Sequence, residues 1–259
     1  MKLSLVTGAS TGLGKDFAIA LAKKGYTPIL VARSLDRLKS LAAEIKSLYG
    51  LDAIVIKQDL SKPGSAKELY NAVKKKKLSV EILVNNAGYG LNGEYFKNDF
   101  TKESEMIQLN VTSLAELCHL FLNDMVAAKN GRILNVASIA SFQPGPLMAN
   151  YCATKAYVLS LSESLAEEVR KYGVFVSCLC PGPTKTEFFE RANMMNSKLL
   201  NFSPMTMDSE TVVKAGMKAL FSGQVVKIPG FSNFLIAFSV RFSPRSLVRK
   251  IAGFLNRLD

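Results

Sequence analysis

Short apolar runs rich in β-branched residues alternate along the chain with longer amphipathic runs, several of which end at glycine. The apolar runs have the length and composition of buried strands. Seven strands are predicted: Leu3–Thr7, Thr27–Val31, Ala53–Lys57, Glu81–Asn85, Arg132–Ala137, Val174–Cys180 and Val225–Ile228. Helices are predicted between them: Gly12 to Lys24, Ser34 to Gly50, a helix after Ser61 with Pro63 in its first turn, two within Thr101 to Lys129, Tyr151 to Tyr172, and Asp208 to Phe221.

Strict alternation of strands and helices predicts an α/β fold. Strands that are apolar along their whole length are typical of a parallel sheet covered by helices on both faces. Because the chain shows no linker, repeat or break in composition, we expect one Rossmann-type, doubly wound domain over residues 1–259, with a core over about residues 3–228. Pro229-Gly230 ends the sheet region, and residues 231–259 are expected to form a C-terminal helical extension.

Composition excludes several classes of protein. Of the 259 residues, 48% are hydrophobic and 21% are charged, which is ordinary globular usage and not that of a disordered chain. The four cysteines form no C-x-x-C pair, and His119 is the only histidine, so neither a disulfide framework nor a Cys/His zinc site is expected. His119 lies in an apolar stretch, and we expect it in the core or at an interface.

The net charge of +12 does not point to one charged region, because residues 1–130 carry +5 and residues 131–259 carry +7. The densest run, Lys74–Lys77, lacks interleaved aromatic residues and lies where a helix should end, so nucleic acid is not an expected partner. The first strand begins at Leu3, which leaves no room for a signal peptide, and no stretch of 18 apolar residues occurs. With its cysteines expected to be free, the chain is predicted to be cytoplasmic.

A glycine-rich turn, TGASTGLG at residues 7–14, connects the first strand to the first helix. Its glycines at positions 8, 12 and 14 would allow a tight turn and close approach of the backbone to a ligand. The helix that follows offers unpaired N–H groups to a pyrophosphate. This context predicts a dinucleotide-binding turn.

Further motifs follow the predicted elements in order. They are Asp59-Leu60 after the third strand, Asn85-Asn86-Ala87-Gly88 after the fourth, Asn110-Val111 in the next helix, Ser138 at the end of the fifth strand, the pair Tyr151-x-x-x-Lys155, and Pro181-Gly182-Pro183-Thr184 after the sixth strand. With the spacing of the glycine turn, these motifs resemble those of the short-chain dehydrogenase/reductase family over residues 3 to about 228. The resemblance implies a nicotinamide cofactor held by Gly8, Ser10, Thr11, Gly12, Leu13, Gly14, Arg33, Ser34, Asp59, Leu60, Asn86, Ala87, Gly88, Tyr151, Lys155, Pro181, Gly182, Thr184 and Thr186.

The same resemblance implies a catalytic set of Asn110, Ser138, Tyr151 and Lys155. Tyr151 and Lys155 are four residues apart and so share one face of a helix. A phenol titrates near pH 10, and a neighbouring ammonium could lower its pKa toward neutrality. Tyr151 would be the general acid in reduction and the base in oxidation, Lys155 would tune it and hold the nicotinamide ribose, and Ser138 would position the substrate oxygen. By the resemblance, Asn110 would hold a proton-relay water.

The residues after the second strand favour NADP over NAD. An acid at this strand end would accept a hydrogen bond from a free ribose 2′-hydroxyl, but the position is Ala32. Arg33 and Ser34 follow and suit a 2′-phosphate. Asp36 is the alternative, although it falls in the first helical turn, where an acid also suits the helix dipole. Thr11 stands where many NADP-using relatives carry a basic residue.

The expected function is that of a carbonyl reductase, or equivalently a secondary-alcohol dehydrogenase, acting on a medium-sized apolar ketone or alcohol. The nearest alternative is a 3-oxoacyl thioester reductase. A cofactor-sensing regulator or a membrane-surface interaction protein would belong to another class, and the complete catalytic set argues against the regulator. A lid over the cleft is predicted from the apolar residues Phe188, Phe189, Met194, Met195, Leu199, Leu200, Phe202, Met205 and Met207.

The C-terminal extension contains an amphipathic helix after Pro244. Its apolar positions are Leu247, Val248, Ile251, Phe254, Leu255 and Leu258, and its basic ones are Arg245, Arg249, Lys250 and Arg257. The helix could pack on its own domain, on a second subunit or on an anionic membrane surface. We expect a homo-oligomer, a dimer or tetramer, in which the helix covers apolar surface near the lid, with at most peripheral membrane contact.

Overall fold

Seven strands form one sheet in the computed structural model, which describes residues 1–192 and 206–257. The strands are β1 (Leu3–Thr7), β2 (Thr27–Ala32), β3 (Ile54–Lys57), β4 (Val80–Asn85), β5 (Gly131–Val136), β6 (Val174–Leu179) and β7 (Val226–Lys227). All pair in parallel, in the order β3-β2-β1-β4-β5-β6-β7. The predicted doubly wound fold is confirmed, and every strand end lies within one residue of its predicted place.

Helices connect the strands and cover both faces of the sheet. They are α1 (Gly12–Lys23), α2 (Leu35–Tyr49), α3 (Ser65–Lys75), α4 (Phe100–Ile107), α5 (Leu114–Ala128), α6 (Ala149–Val169), α7 (Phe188–Arg191), α8 (Ser209–Ser222), α9 (Phe231–Ser239) and α10 (Arg245–Leu255). The helix predicted after Ser61 begins later than expected. Gly64 precedes it in the left-handed conformation, with φ at 77°, so Pro63 lies before the helix and not in its first turn.

Alternate residues of each strand face opposite layers, as the period of a strand requires. Leu5 and Leu83 pack toward α3, α5 and α6, whereas the neighbouring Val6 and Ile82 pack toward α1, α2 and α8. Both faces of the central strands are therefore buried, which explains their continuous apolar sequences. Cys118, Cys178 and Cys180 belong to the first layer.

His119, expected in the core or at an interface, lies exposed on α5. Its neighbour Cys118 takes the core-facing position of that turn. A core position for His119 is therefore wrong, because an amphipathic helix also turns some residues of an apolar stretch toward solvent, whereas a place at an interface stays a prediction.

The C-terminal extension packs on its own domain at two points. Asn233 of α9 is buried, and its Nδ2 donates to the Pro229 carbonyl at 3.1 Å and contacts the Met207 Sδ at 3.3 Å. Asn256, after α10, donates from Nδ2 to the Pro146 carbonyl at 2.9 Å, and its own carbonyl accepts from Asn92 at 2.9 Å. Within the described ranges, no helix is both long and apolar enough to cross a membrane.

The predicted lid falls largely outside the described residues, which include only Phe188, Phe189 and Met207 of its nine positions. The backbone at Met207 pairs with the chain just after β6. Its N–H donates to the Pro183 carbonyl at 2.8 Å, and its carbonyl accepts from Lys185 at 3.0 Å.

Candidate active site

The site lies where the connections after β1 and β4 leave the sheet. The two strands are neighbours, and their carboxyl ends are tied together by Thr7. The Thr7 Oγ1 accepts hydrogen bonds from the backbone N–H groups of Asn86 and Ala87, each at 3.0 Å. In return, the Asn86 Nδ2 donates to the Thr7 carbonyl at 3.0 Å. These bonds fix the glycine turn against the Asn-Asn-Ala-Gly segment, and a crevice of this kind is where open α/β sheets bind ligands.

The glycine turn has the shape that a dinucleotide requires. Gly8 and Gly12 have φ values of +65° and +53°, which side-chain-bearing residues rarely adopt. A Cβ on Gly14 would overlap the Gly8 carbonyl oxygen and lie 2.5 Å from the Asn86 Nδ2. The turn can therefore close only with glycine at these positions. The first turn of α1 begins there, and its backbone N–H groups are the donors that suit a pyrophosphate.

A cleft of about 930 Å³ runs from this turn across the carboxyl edge of the sheet. Its walls include every predicted cofactor-binding residue except Gly14, which instead packs helix α1 against the turn. Three members of the predicted catalytic set, Ser138, Tyr151 and Lys155, also line the cleft, whereas Asn110 lies behind its wall. The residues fit a dinucleotide along the first half of the cleft.

Ser138, Tyr151 and Lys155 meet at the middle of the cleft. Ser138 follows β5, and its Oγ accepts from the Ala140 N–H at 3.1 Å, which fixes the hydroxyl at the start of a short 3₁₀ turn. Tyr151 and Lys155 stand one turn apart on α6 and are only 8% and 6% exposed. The Lys155 Nζ lies 5.8 Å from the centre of the Tyr151 ring and donates to the Val136 carbonyl at 2.8 Å.

Burial controls the titration of this pair. It raises the pKa of Tyr151 well above its ordinary value, and a hydrogen bond with Ser138 opposes that rise only in part. Burial also lowers the pKa of Lys155 to about 8, against a small opposing effect of Cys178 and Cys180. Burial thus dominates the pKa of Tyr151 among the chain's own groups, and the predicted lowering of this pKa by the Lys155 ammonium stays a prediction. At neutral pH, Tyr151 is a protonated donor, and Lys155 is a cation close to its titration range.

Asn110 positions the wall of the cleft. It lies in a π-helical segment, Gln108–Ser113, that joins α4 to α5, and it is buried. Its Nδ2 donates to the Tyr89 carbonyl at 2.9 Å and to the Thr154 Oγ1 at 3.2 Å, and its Oδ1 accepts from the Tyr89 N–H at 3.2 Å. The amide thus holds the backbone after Gly88 and couples it to α6. The predicted role of Asn110 in holding a proton-relay water stays a prediction.

The adenosine end of the cleft is polar. Asp59 accepts from the N–H and hydroxyl of Ser61 at 3.0 and 2.8 Å. Burial opposes the charge of Asp59, but these bonds and the nearby charges of Arg33 and Lys62 keep its pKa below its ordinary value. Arg33 is exposed at the end of β2, and the Ser34 hydroxyl makes no capping bond to α2. Both side chains are thus available to a ligand in the cleft.

Arg37 is among the cleft residues that were not predicted from the sequence. Arg37 lines the adenosine end and forms an ion pair with Glu187 at 3.1 Å, which connects α2 to the segment after β6. Its position four residues after Arg33 was the available signal. Cys152 also lines the cleft, but burial raises the pKa of its thiol to about 12, so it is not a nucleophilic thiolate.

The far end of the cleft is apolar. The Phe188 ring lies 5.4 Å from the Tyr151 ring and 5.6 Å from the Phe189 ring. Further wall residues come from the loops after β4 and β5 and from the two C-terminal helices: Leu91, Met148, Ile236, Val240, Leu247, Val248, Ile251, Ala252 and Leu255. In the described part of the chain, no group of three or more His, Cys, Asp or Glu side chains is arranged to hold a metal ion.

The fold and this cleft define a Rossmann-type, dinucleotide-binding class of protein. The sequence pattern of the short chain dehydrogenase family matches residues 2–197, so the chain belongs to the short-chain dehydrogenase/reductase family. Enzymes of this family act on the CH–OH group of small molecules.

The names of similar proteins refer to two different classes of substrate. The chain is 36% identical over 180 residues to a very-long-chain 3-oxoacyl-CoA reductase of Pyrenophora tritici-repentis, with 68% of this chain and 53% of the relative covered. It is 31% identical over 224 residues to human 17-beta-hydroxysteroid dehydrogenase type 3, with 85% and 68% covered. The chain therefore spans about half the length of the fungal reductase.

Solved structures match over nearly the whole chain. A short-chain dehydrogenase from Sphingobium yanoikuyae in complex with NADPH superposes with a TM-score of 0.83 at 29% identity, covering 93% of this chain and 94% of that one. A bulky-bulky ketone specific alcohol dehydrogenase from Comamonas testosteroni superposes with a TM-score of 0.78 at 27% identity, covering 96% of each chain.

The lowered pKa of Lys155 predicts a pH-dependent stability difference between the wild type and Lys155→Met. A lysine with a folded pKa near 8 and an unfolded pKa of 10.5 opposes folding below pH 8, and this penalty disappears as pH rises to 10.5. Relative to that of Lys155→Met, the free energy of unfolding of the wild type should therefore rise by on the order of 3 kcal/mol between pH 7 and 10.5. Urea unfolding of both proteins across this range measures the difference. A difference that stays constant with pH would contradict the burial of a titrating ammonium.

Proposed function

We propose that the chain is an NADPH-dependent carbonyl reductase, and in reverse a secondary-alcohol dehydrogenase, for a medium-sized apolar ketone or alcohol. One observation carries the proposal. The cluster of half-buried Ser138 with buried Tyr151 and Lys155 lies between a polar half of the cleft that fits a dinucleotide and an apolar half that fits a hydrocarbon substrate.

The bound nicotinamide would supply the hydride in reduction and accept it in oxidation. Tyr151, kept protonated by burial, is the group that donates a proton to the carbonyl oxygen as the hydride arrives. Ser138, whose hydroxyl is fixed by the Ala140 N–H and lines the cleft beside Tyr151, orients the same oxygen. Lys155 supplies a positive charge beside the phenol, which favours the phenolate that remains after proton donation.

Preference for NADPH is supported by the residues after β2. No acid occupies Ala32, the last residue of the strand, and Arg33, Ser34 and Arg37 all line the adenosine end of the cleft. A guanidinium makes charge-assisted, bidentate bonds to a phosphate, so this group of side chains suits a ribose 2′-phosphate better than a free hydroxyl. The NADPH complex of the Sphingobium yanoikuyae relative is consistent with this preference.

A 3-oxoacyl thioester is the second candidate substrate. The fungal relative named for 3-oxoacyl-CoA reduction supports it, and the human relative named for hydroxysteroids supports the ketone or alcohol. Both substrates have a carbonyl next to a large apolar body, which the far end of the cleft accommodates. The homo-oligomeric assembly and the cytoplasmic location stay predictions.

Loss of the proton donor tests the proposed chemistry. Tyr151→Phe should bind NADPH normally but turn over a good ketone substrate at least about a hundredfold more slowly, the usual scale of lost general-acid catalysis. Cofactor fluorescence and steady-state kinetics measure the two effects. Tyr157→Phe, on the exposed side of the same helix, is the matched control and should keep its rate. A near-normal rate for Tyr151→Phe would rule out its assignment as the acid.

Removal of a single guanidinium tests the coenzyme preference. The wild type should bind NADPH more tightly than NADH, and Arg33→Ala should weaken NADPH binding by about ten- to a hundredfold while leaving NADH binding nearly unchanged. Lys39→Ala, which removes an exposed cation of α2 that does not line the cleft, serves as control. Equal affinities of the wild type for both cofactors would contradict the assignment and favour Asp36 as the ribose-binding residue. Titration calorimetry gives all of these constants.

A further inference from the structure

The C-terminal helices expose an unusual amount of apolar surface. Phe234, Leu235 and Phe238 of α9 are each 46% exposed, and Phe242, just after the helix, is 76% exposed. The rings of Phe234 and Phe238 stack at 6.0 Å, and those of Phe238 and Phe242 meet edge to face at 5.2 Å. Three aromatic rings thus form a continuous row on the outside of the molecule. A contiguous patch of this kind marks an interaction site.

Basic residues follow these apolar side chains along the same segment, and Arg241 lines a shallow groove together with Phe234 and Phe238. Arg241, Arg245, Arg249, Lys250 and Arg257 are all exposed, and residues 231–257 contain no Asp or Glu. These five cations form no ion pair with any part of the chain between residues 1–192 or 206–257. We call the exposed apolar row together with these cations the C-terminal surface. Its chemistry combines exposed apolar side chains with an excess of positive charge, although Glu163 lines the same groove as Phe234, Phe238 and Arg241.

The C-terminal surface is continuous with the wall of the cleft. Leu247 and Ile251 of α10 line the cleft and are about half exposed, whereas Val248 and Ala252 of the same helix are buried against the domain. Phe254 is 54% exposed and does not line the cleft, so the predicted single apolar stripe is divided among the core, the cleft wall and the exterior. Ile236 and Val240 of α9 line the cleft as well. The two helices separate the apolar end of the cleft from the exterior.

We propose that the C-terminal surface docks on an anionic lipid bilayer, with the aromatic row among the acyl chains and the basic side chains at the headgroups. Helices of 9 and 11 residues are too short to cross a bilayer, so they would lie in the plane of its interface. Arginine and lysine side chains near an anionic membrane are attracted by its negative surface potential. For the reductase proposed above, docking would bring the outer wall of the cleft against a source of apolar substrate.

Charge distinguishes the bilayer from a second copy of the chain. Two copies meeting symmetrically through this surface would bring five cations of each copy together, with no carboxylate on residues 231–257 to pair with them. Like charges that are partly removed from water repel strongly, and the whole chain carries +12. An anionic headgroup layer supplies the opposite charge and an apolar interior together.

Flotation of the purified full chain with lipid vesicles tests the proposal without using its catalytic activity. Vesicles of phosphatidylcholine alone and with about 30% phosphatidylglycerol are compared at about 0.05 and 0.5 M salt. The chain should float with the anionic vesicles at low salt and much less at high salt. Arg245→Glu/Arg249→Glu should lower the partition coefficient at least about tenfold. Phe234→Ser/Phe238→Ser should lower it as well, by loss of apolar burial.

Lys75→Glu/Lys76→Glu is the matched control, because it changes the net charge equally. These lysines are exposed at the end of α3 and just after it, on the opposite edge of the sheet from the cleft, since α3 runs antiparallel to the strands. The control should float within a few-fold of wild type. Thermal unfolding by circular dichroism establishes that each variant is folded. If the serine variant does not fold, the charge variant, which keeps the apolar row, still tests the proposal.

Three results would overturn the proposal. One is no flotation of the wild type with anionic vesicles. A second is an equal loss of flotation in the lysine control, which would mean attraction by net charge alone. A third is a drop in oligomer mass by light scattering on Phe234→Ser/Phe238→Ser with lipid binding unchanged, which would assign the surface to a second copy. Because no arm measures turnover, these failures are distinguishable from failure of the proposed reductase activity.

Discussion

The hydroxyl of Thr7 holds together the two connections on which the site depends. A parallel sheet brings the carboxyl ends of all its strands to one edge, but the loops beyond those ends must still be fixed relative to one another. Thr7 accepts two backbone N–H groups of the segment after β4, and Asn86 returns a bond to the Thr7 carbonyl. The glycine turn can then close over Asn86 with no room for a Cβ at Gly14. The cofactor half of the cleft follows from this contact.

Burial then gives the polar groups of the cleft their chemistry. Tyr151 keeps its proton because the surroundings disfavour phenolate, and Lys155 is brought close to titration because they disfavour an ammonium. Such groups oppose folding, so the rest of the domain must compensate for them. It does so with strands apolar on both faces, and with a carbonyl, that of Val136, aimed at the ammonium. Reactivity is thus obtained at the expense of local stability.

Local pattern predicted the elements well and the contacts between them less well. The strands follow from continuous apolar runs, and the motifs follow from spacing, so every predicted cofactor-binding residue except Gly14 lies in the cleft wall. Sequence spacing placed Lys155 on the face of Tyr151, but it could not show that Lys155 turns to Val136, on a strand formed earlier in the chain. The bond of Asn110 to Tyr89 and the ion pair of Arg37 with Glu187 likewise join distant segments.

The apolar face of the helix after Pro244 shows the same limit of prediction from sequence. Its period correctly predicted an amphipathic helix after Pro244. The spacing of apolar residues does not show how much of the helix surface the domain covers. Here Val248 and Ala252 are the residues of α10 that are buried. The remaining apolar side chains serve as cleft wall and outer surface. Sequence reasoning therefore identified the helix but not the division of its apolar face.

Isotope transfer tests the central claim most directly. NADPH carrying deuterium on the transferring face of nicotinamide C4 is mixed with the protein and an apolar ketone, and the alcohol is analysed by mass spectrometry and NMR. The account predicts one deuterium bound to the carbinol carbon, and none there when unlabelled NADPH is used in heavy water. An alcohol without deuterium at that carbon, or no alcohol from any ketone or 3-oxoacyl thioester supplied, would contradict hydride transfer in this cleft.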